Sequence, residues 1–218
     1  MLTSTEENYL KAILALENEG AVSTNALADR METKASSVTD MIRKLAEKEL
    51  VDYQKYKGVS LTVSGKDAAL RIVRKHRLWE VFLVEKLNFG WDEVHEIAEQ
   101  LEHIQSVQLT DRLEEFLGFP KFDPHGDPIP DKNGTIVRRK KACLLNEMEL
   151  TIPATVVGVN DSSPAFLQFL DRQGVQLGDT LILLEKYEFD DSMLVETKNG
   201  TINFSHAVVT NICVEPKQ

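Results

Sequence analysis

"SSVTDMIRKLAEKELVDYQKYKGVSLTV", residues 36 to 63, changes its hydrophobic period halfway along. In the first half Val38, Met41, Ile42 and Leu45 recur at helical spacing, so one face of a helix is apolar. In the second half β-forming residues alternate around "KYKG", a hairpin turn that holds Gly58. Upstream, "STNALADRM" (residues 23 to 31) predicts a short helix capped by Ser23, and "ETKA" a tight turn. A short helix, a turn and a helix with a hydroxyl-rich start make a helix-turn-helix. A hairpin directly after it is the wing of a winged helix, and Tyr53, Lys55, Tyr56 and Lys57 there suit phosphate and sugar. Lys34, Ser36, Ser37 and Asp40, at the start of the recognition helix, are the candidates for base contact. Arg43, Lys44, Lys55 and Lys57 are the candidates for phosphate, and pairing of Asp40 with Lys44 is the competing use of that aspartate.

The charge distribution bears on the same question. The 218-residue chain has a net charge of −10, yet residues 23 to 77 hold 12 Lys and Arg against 7 Asp and Glu. A basic block in an acidic chain suits a nucleic-acid module, and equally a solvated basic face. No apolar run reaches the roughly 18 residues of a membrane span. The start "MLTSTEENYL" is acidic and lacks the basic, then apolar, layout of a secretory signal. Cys143 and Cys213 lie far apart and outside any CxxC pattern, which reads as reduced thiols of a cytoplasmic protein.

Around the winged helix the pattern continues. Ser4 and Glu7 form a capping-box signature before an apolar stripe of Tyr9, Leu10, Ile13, Leu14 and Leu16 that Gly20 stops. A long helix follows the wing, "SGKDAALRIVRKHRLWEVFLVEKL", capped by Ser64 with Asp67; two more start near Asp92 and at "TDRLEEFL". These three helices read as a dimer core or as an ordinary intrachain core. "GFPKFDPHGDPIPDKNG" is a linker by composition. From about Thr151 short β-like runs punctuated by Gly and Asn-Gly predict a small barrel, with one helical turn at "SPAFLQFLDRQG". The expectation is a mainly α chain with a C-terminal β-barrel. Its parts are a winged helix-turn-helix over 1–63, a helical dimerisation domain over 64–118, a linker over 119–150 and an SH3-like domain over 151–218.

"HEIAEQLEH", residues 95 to 103, carries the chemistry. At about 100° per residue, with His95 at zero, Glu99 falls at about 40°, Glu102 at about −20° and His103 at about 80°. Carboxylates one turn apart repel unless a cation sits between them. "KHRLWE" adds His76 and Glu80 four residues apart on a helix. The donors are oxygen and nitrogen without thiolate, which suits Mn²⁺ or Fe²⁺ and admits Zn²⁺ or Co²⁺. "HEIAE" is not the HExxH of a metalloprotease.

A winged helix, H-x-x-x-E, H-x-x-x-E-x-x-E-H, a Pro-rich linker and a β-barrel, in that order, resemble the diphtheria-toxin-repressor family of metal-dependent regulators along essentially the whole chain. The manganese-responsive branch is the nearer match. The resemblance implies a primary site of Asn8, Glu99, Glu102 and His103, with the Glu7 main chain as a further ligand. It implies an ancillary site of His76, Glu80 and His95, completed from the C-terminal domain. There the acid and amide donors of iron members fall on Ser162 and Ala165, leaving Asp161 as the nearest substitute. Asp123 and His125 in "FDPHG" are variant ancillary ligands or a polar linker turn.

Three positions depart from the family pattern. Glu99 stands where iron-selective members carry cysteine, which favours manganese. Asn8 stands where manganese-selective members usually carry aspartate. Lys11 replaces a further carboxylate of some manganese members, which argues against a bridged two-metal site. The implied function is a cytoplasmic, homodimeric repressor, dependent on Mn²⁺ or alternatively Fe²⁺, on a palindromic operator of metal-uptake genes. It is no enzyme and has neither a membrane nor a small organic substrate as partner. The rival readings are a metal-insensitive winged-helix regulator and a metalloenzyme.

Overall fold

The computed structural model describes residues 2–17, 20–54 and 57–217, so Lys55 and Tyr56 of the wing lie outside the described residues. Two compact units divide the chain: Met1–His76 with Glu99–Asp111 and Pro130–Thr135, and Arg77–Ala98 with Arg112–Ile129 and Ile136–Gln218.

The first unit opens with α1 (Ser4–Leu16), α2 (Thr24–Arg30), α3 (Ala35–Glu47) and the hairpin β1 (Val51–Gln54) and β2 (Gly58–Leu61), and includes the start of α4 (Val63–Leu87). The apolar stripes read from the sequence meet in one core, where Leu10, Ile13, Leu27, Val38, Ile42, Leu45 and Val59 have no exposed surface. β1 and β2 pair antiparallel with Val51 opposite Leu61, and Val22 bridges to Val59 on the far side of β2.

Both helix caps sit one or two residues from where the sequence puts them. Thr3, not Ser4, caps α1: its Oγ1 accepts the Glu6 N–H at 3.3 Å, and Glu6 Oε2 accepts the Thr3 N–H at 2.9 Å. The shift frees the Glu7 carboxylate from capping. Glu6 serves twice, since its carboxylate also takes the Lys48 ammonium at 2.7 and 2.8 Å, where Lys48 is the C-cap of α3. That ammonium holds the Glu6 carboxyl below its usual range. At α4, Thr62 Oγ1 accepts the Gly65 N–H at 3.0 Å in place of the expected Ser64 cap, while Asp67 pairs with Arg71.

The second unit takes in the rest of α4, the start of α5 (Val94–Leu101) and the end of α6 (Val107–Phe116); Leu78 and Val81 of α4, Leu113 of α6 and Ile129 form a small core there. The C-terminal part comprises β3 (Cys143–Leu144), a 3-10 turn at Leu145–Glu147, β4 (Pro153–Val159), α7 (Pro164–Gln173) and β5 (Thr180–Lys186), then β6 (Met193–Thr197), β7 (Gly200–Phe204), α8 (His206–Val209) and β8 (Ile212–Pro216). Its strands form one antiparallel sheet in the order β3-β8-β4-β5-β6-β7 around Leu167, Leu170, Leu181, Val195, Phe204 and Val214. α7 is a ten-residue helix rather than one turn, capped by Ser163 and ended by Gly174 in the left-handed region. β3 and the 3-10 turn fall inside residues 119–150, the span expected to be a linker. No described helix is long and apolar enough to cross a membrane.

One backbone contact positions the chemistry of this unit. The turn around Asp123–Asp127 lies against β4, with the His125 carbonyl accepting the Val159 N–H at 2.9 Å. Gly126 there has φ of 88°, and a Cβ on it would stand 2.1 Å from the Val157 carbonyl oxygen. Gly126→Ala should therefore cost about 1–3 kcal/mol. A thermal melt should show the loss as a drop of about 2–4 °C per kcal/mol. An unchanged melting temperature would mean that the turn does not seat on β4.

Candidate metal centre

In the first unit, α1 meets the end of α5. Glu102, in the turn that closes α5, has a carboxylate with no exposed surface. Lys11 on α1 donates to Glu102 Oε1 and Oε2, each at 2.8 Å, and to Glu99 Oε1 at 2.7 Å. His76 Nδ1 lies 2.6 Å from Glu102 Oε2, and His76, Glu99 and Glu102 each bring one ligand atom within 4.8 Å of the others. One turn back on α1, Glu7 is buried, with Oε2 2.6 Å from His103 Nδ1 and Oε1 accepting the Gln105 amide at 2.6 Å. Lys75 stands 3.8 Å from Glu7; burial lowers its pKa, against the pull of the Glu7 and Glu102 charges. Between these groups in sequence, Asn8 has a buried Oδ1 with no hydrogen-bond donor among the described residues. A buried carbonyl oxygen left unmatched on the helix that carries Glu7 and Lys11 is the kind of donor a hard cation completes.

A second cluster lies in the other unit. Glu80 on α4, Asp123 and His125 are all buried and bring ligand atoms within 4.8 Å of one another. His95 Nδ1 approaches Glu80 Oε1 at 3.3 Å. His125 is oriented from both sides: Nε2 donates to the Trp91 carbonyl at 2.8 Å, which leaves Nδ1 facing Glu80 Oε2 at 3.7 Å. The Trp91 ring stacks on the imidazole, 6.4 Å between centroids and 18° between planes, and its N–H donates to Asp171 at 3.0 Å. Burial alone would lower the His125 pKa, but the hydrogen bond and charge of Glu80 outweigh it and the pKa is raised. Asp123 is pushed up to about 7, first by burial and then by the Glu80 and Asp127 charges. Its Oδ1 accepts the backbone N–H groups of His125 and Asp127, each at 2.9 Å, so the side chain holds its own turn in place.

The remaining expected residues have plain positions. Asp161 lies outside the Glu80–Asp123–His125 cluster and accepts the Ser163 N–H at 2.8 Å ahead of α7. Lys34, Ser36, Ser37, Asp40, Arg43, Lys44 and Lys57 are all exposed on α3 or beside the hairpin. Asp40 pairs with Arg43 at 3.7 Å rather than with Lys44. Lys55 lies outside the described residues.

Residues 1–59 match the iron dependent repressor N-terminal DNA binding domain, and residues 62–131 match the iron dependent repressor metal binding and dimerisation domain. Residues 143–216 match the FeoA domain. The transcriptional regulator MntR of Oceanobacillus iheyensis is 34% identical over 124 residues, 56% of this chain and 84% of that protein.

The chain belongs to the iron-dependent repressor family.

The iron-dependent repressor IdeR of Mycobacterium leprae is 35% identical over 130 residues, 59% of this chain and 56% of IdeR. The chain thus spans about half the length of the first curated relatives it matches. A solved family structure, a manganese-dependent transcriptional repressor in complex with manganese, superposes with a TM-score of 0.85 at 38% identity, covering 97% of this chain and all of that one. The side chains that the sequence did not single out are the carboxylate of Glu7, Lys75 and Gln105. The sequence reads Glu7 as a cap and a main-chain ligand; its side chain is free for His103 because Thr3 rather than Ser4 caps α1.

The raised pKa of Asp123 has a consequence for stability. A carboxyl whose folded value lies above its ordinary 3.8 contributes stability below that pH and loses it as pH rises towards about 7. Asp123→Asn keeps the Oδ1 acceptor and removes the charge. In chelator, the variant should melt above the parent at pH 8, with the gap closing as pH falls towards 4. A gap independent of pH would contradict the assignment.

Proposed function

We propose that this chain is a metal-dependent, DNA-binding transcriptional repressor acting in the cytoplasm as a homodimer on a palindromic operator. Mn²⁺ is its preferred signal and Fe²⁺ the alternative; the chain is a regulator, not an enzyme. The carrying observation is the meeting of α1 with Glu99, Glu102 and His103 inside the unit that also holds the recognition helix α3.

Asn8, Glu99, Glu102 and His103 would hold the primary ion, with His76 beside Glu102. Glu80, His95, Asp123 and His125 would hold a second; the family pattern adds His76 to that set, and Asp161 as the substitute for the donors replaced by Ser162 and Ala165. Hard donors throughout favour Mn²⁺ over softer ions. A bound divalent cation supplies the positive charge that offsets the clustered carboxylates.

The chain's own residues do the rest. Glu7 accepts from His103 Nδ1 and so leaves Nε2 as the ring's lone-pair nitrogen. Glu6, next along α1, takes Lys48 at the C-terminus of α3. Fixing α1 against the stripe therefore fixes α3 as well. Lys34, Ser36, Ser37 and Asp40 then face base edges, while Arg43, Lys44, Lys55 and Lys57 meet phosphate. In a two-fold dimer this sets the spacing of two recognition helices across successive major grooves. α6 leaves Val107, Leu109 and Phe116 exposed, apolar surface of the kind a second copy covers. In this reading residues 1–63 read DNA, 64–118 bind metal and dimerise, 119–150 connect, and 151–218 close as an SH3-like barrel.

Metal and DNA are then linked ligands, with a coupling of about 5- to 150-fold in affinity. Gel-shift titrations of a palindromic duplex, in chelator and with Mn²⁺ or Fe²⁺ under anaerobic conditions, should show binding that tightens with metal. Glu99→Gln/Glu102→Gln should stay folded and lose that gain. A gain that survives in the double variant would move the site elsewhere, and binding indifferent to chelator would favour the metal-insensitive regulator.

A further inference from the structure

The Lys11 ammonium already occupies the carboxylates assigned above to the metal. Its three donors match three oxygen contacts, Glu99 Oε1 at 2.7 Å and the two Glu102 oxygens at 2.8 Å. We infer that Lys11 is a tethered competitor ion, so that a divalent cation binds the Glu99–Glu102 pair by exchange with the ammonium and Lys11 sets the concentration at which metal takes over. This rests on the reading that Glu99 and Glu102 hold the ion.

Three observations support exchange rather than simple addition. Glu102 is fully buried and both its oxygens are engaged by Lys11, with His76 also on Oε2, so an incoming ion meets a carboxylate whose charge is already offset. An ammonium left in place would lie in van der Waals range of the new ion, and two cations that close repel strongly away from bulk water. Lys11 also has a way out: its side chain is 20% exposed, so the ammonium can swing on its flexible stem into water while the stem stays packed. Because the competitor is covalently attached to α1, its effective concentration at the pair does not fall on dilution. The ammonium also ties α1 to the end of α5, so the two partners of the metal site are held together by the chain's own residues.

A purely structural lysine and a competitor give opposite signs on removal. Lys11→Met keeps the stem and deletes the charge. Titration of the full-length, metal-free protein with Mn²⁺, following free Mn²⁺ by electron paramagnetic resonance, should show the variant binding about tenfold or more tightly than the parent, since one tethered counter-charge is gone. Equal or weaker binding by a folded variant would overturn the inference. A second measurement needs no variant. Lysine acetylation of the parent, read residue by residue by mass spectrometry, should find Lys11 protected in chelator and several-fold more reactive in saturating Mn²⁺, with exposed lysines such as Lys44 unchanged. Lys11 reactivity that does not rise with metal would likewise overturn it. If parent Mn²⁺ binding is itself insensitive to Glu99→Gln/Glu102→Gln, the site assignment fails and this inference with it. If binding needs those residues and Lys11→Met leaves it unchanged, only the competitor role fails.

Discussion

Glu102 is an acid with no exposed surface, and a carboxylate taken wholly out of water has to be neutralised where it stands. That requirement organises the first unit. It draws Lys11 from α1 and His76 from α4 onto one residue at the end of α5, bringing together parts of the chain separated by 91 and 26 positions. The residues nearby follow the same rule: Glu7 is buried and held by His103 and Gln105, and Lys75 stands within ion-pair distance of it. Breaking one member of such a network leaves an uncompensated charge, so its members hold one another in place.

α1 is the element through which this arrangement reaches the recognition helix. Consecutive residues on it face different partners. Glu6 turns to Lys48 at the end of α3, while Glu7 and Lys11, one turn apart, turn to His103 and to Glu99 and Glu102. Two acids in the first turn also suit the positive end of the helix, so local electrostatics and long-range pairing agree there. A helix clamped on two faces transmits a shift at one face to the other with little loss.

Much of this was readable in one dimension, and the boundary is physical. Helical spacing on residues 36–50 and alternation on 51–63 identified the recognition helix and wing, because burial periodicity is a local signal. The 95–103 stripe was visible because four ligand-type residues recur at helical spacing, although Glu102 and His103 lie in the turn after α5. The long-range pairings were not: nothing in the spacing of Lys11 or Glu7 says that their partners lie 88 to 98 residues away. Caps slipped by a residue because Thr3 and Ser4 are both competent and tertiary contacts choose between them. Residues 164–173 were read as a single turn, since two phenylalanines among short β-like runs mask a helix that its Ser163 cap and Gly174 stop define. Asp123 and His125 sat in a Pro/Gly-rich stretch whose composition signals a linker, although their turn is seated against β4 by a glycine contact that composition cannot register.

The stacking of Trp91 on His125 has one more consequence. The chain has two tryptophans, and Trp79 rests edge-on against Phe82 at 5.7 Å, in apolar surroundings. Trp91 instead lies parallel to an imidazole whose charge depends on Glu80 and Asp123, with its N–H fixed on Asp171. A protonated imidazole quenches indole emission more than a neutral one does. The state of the Glu80–Asp123–His125 cluster is thus written into the intrinsic fluorescence of one residue, and the protein carries an optical gauge of that site without any added dye.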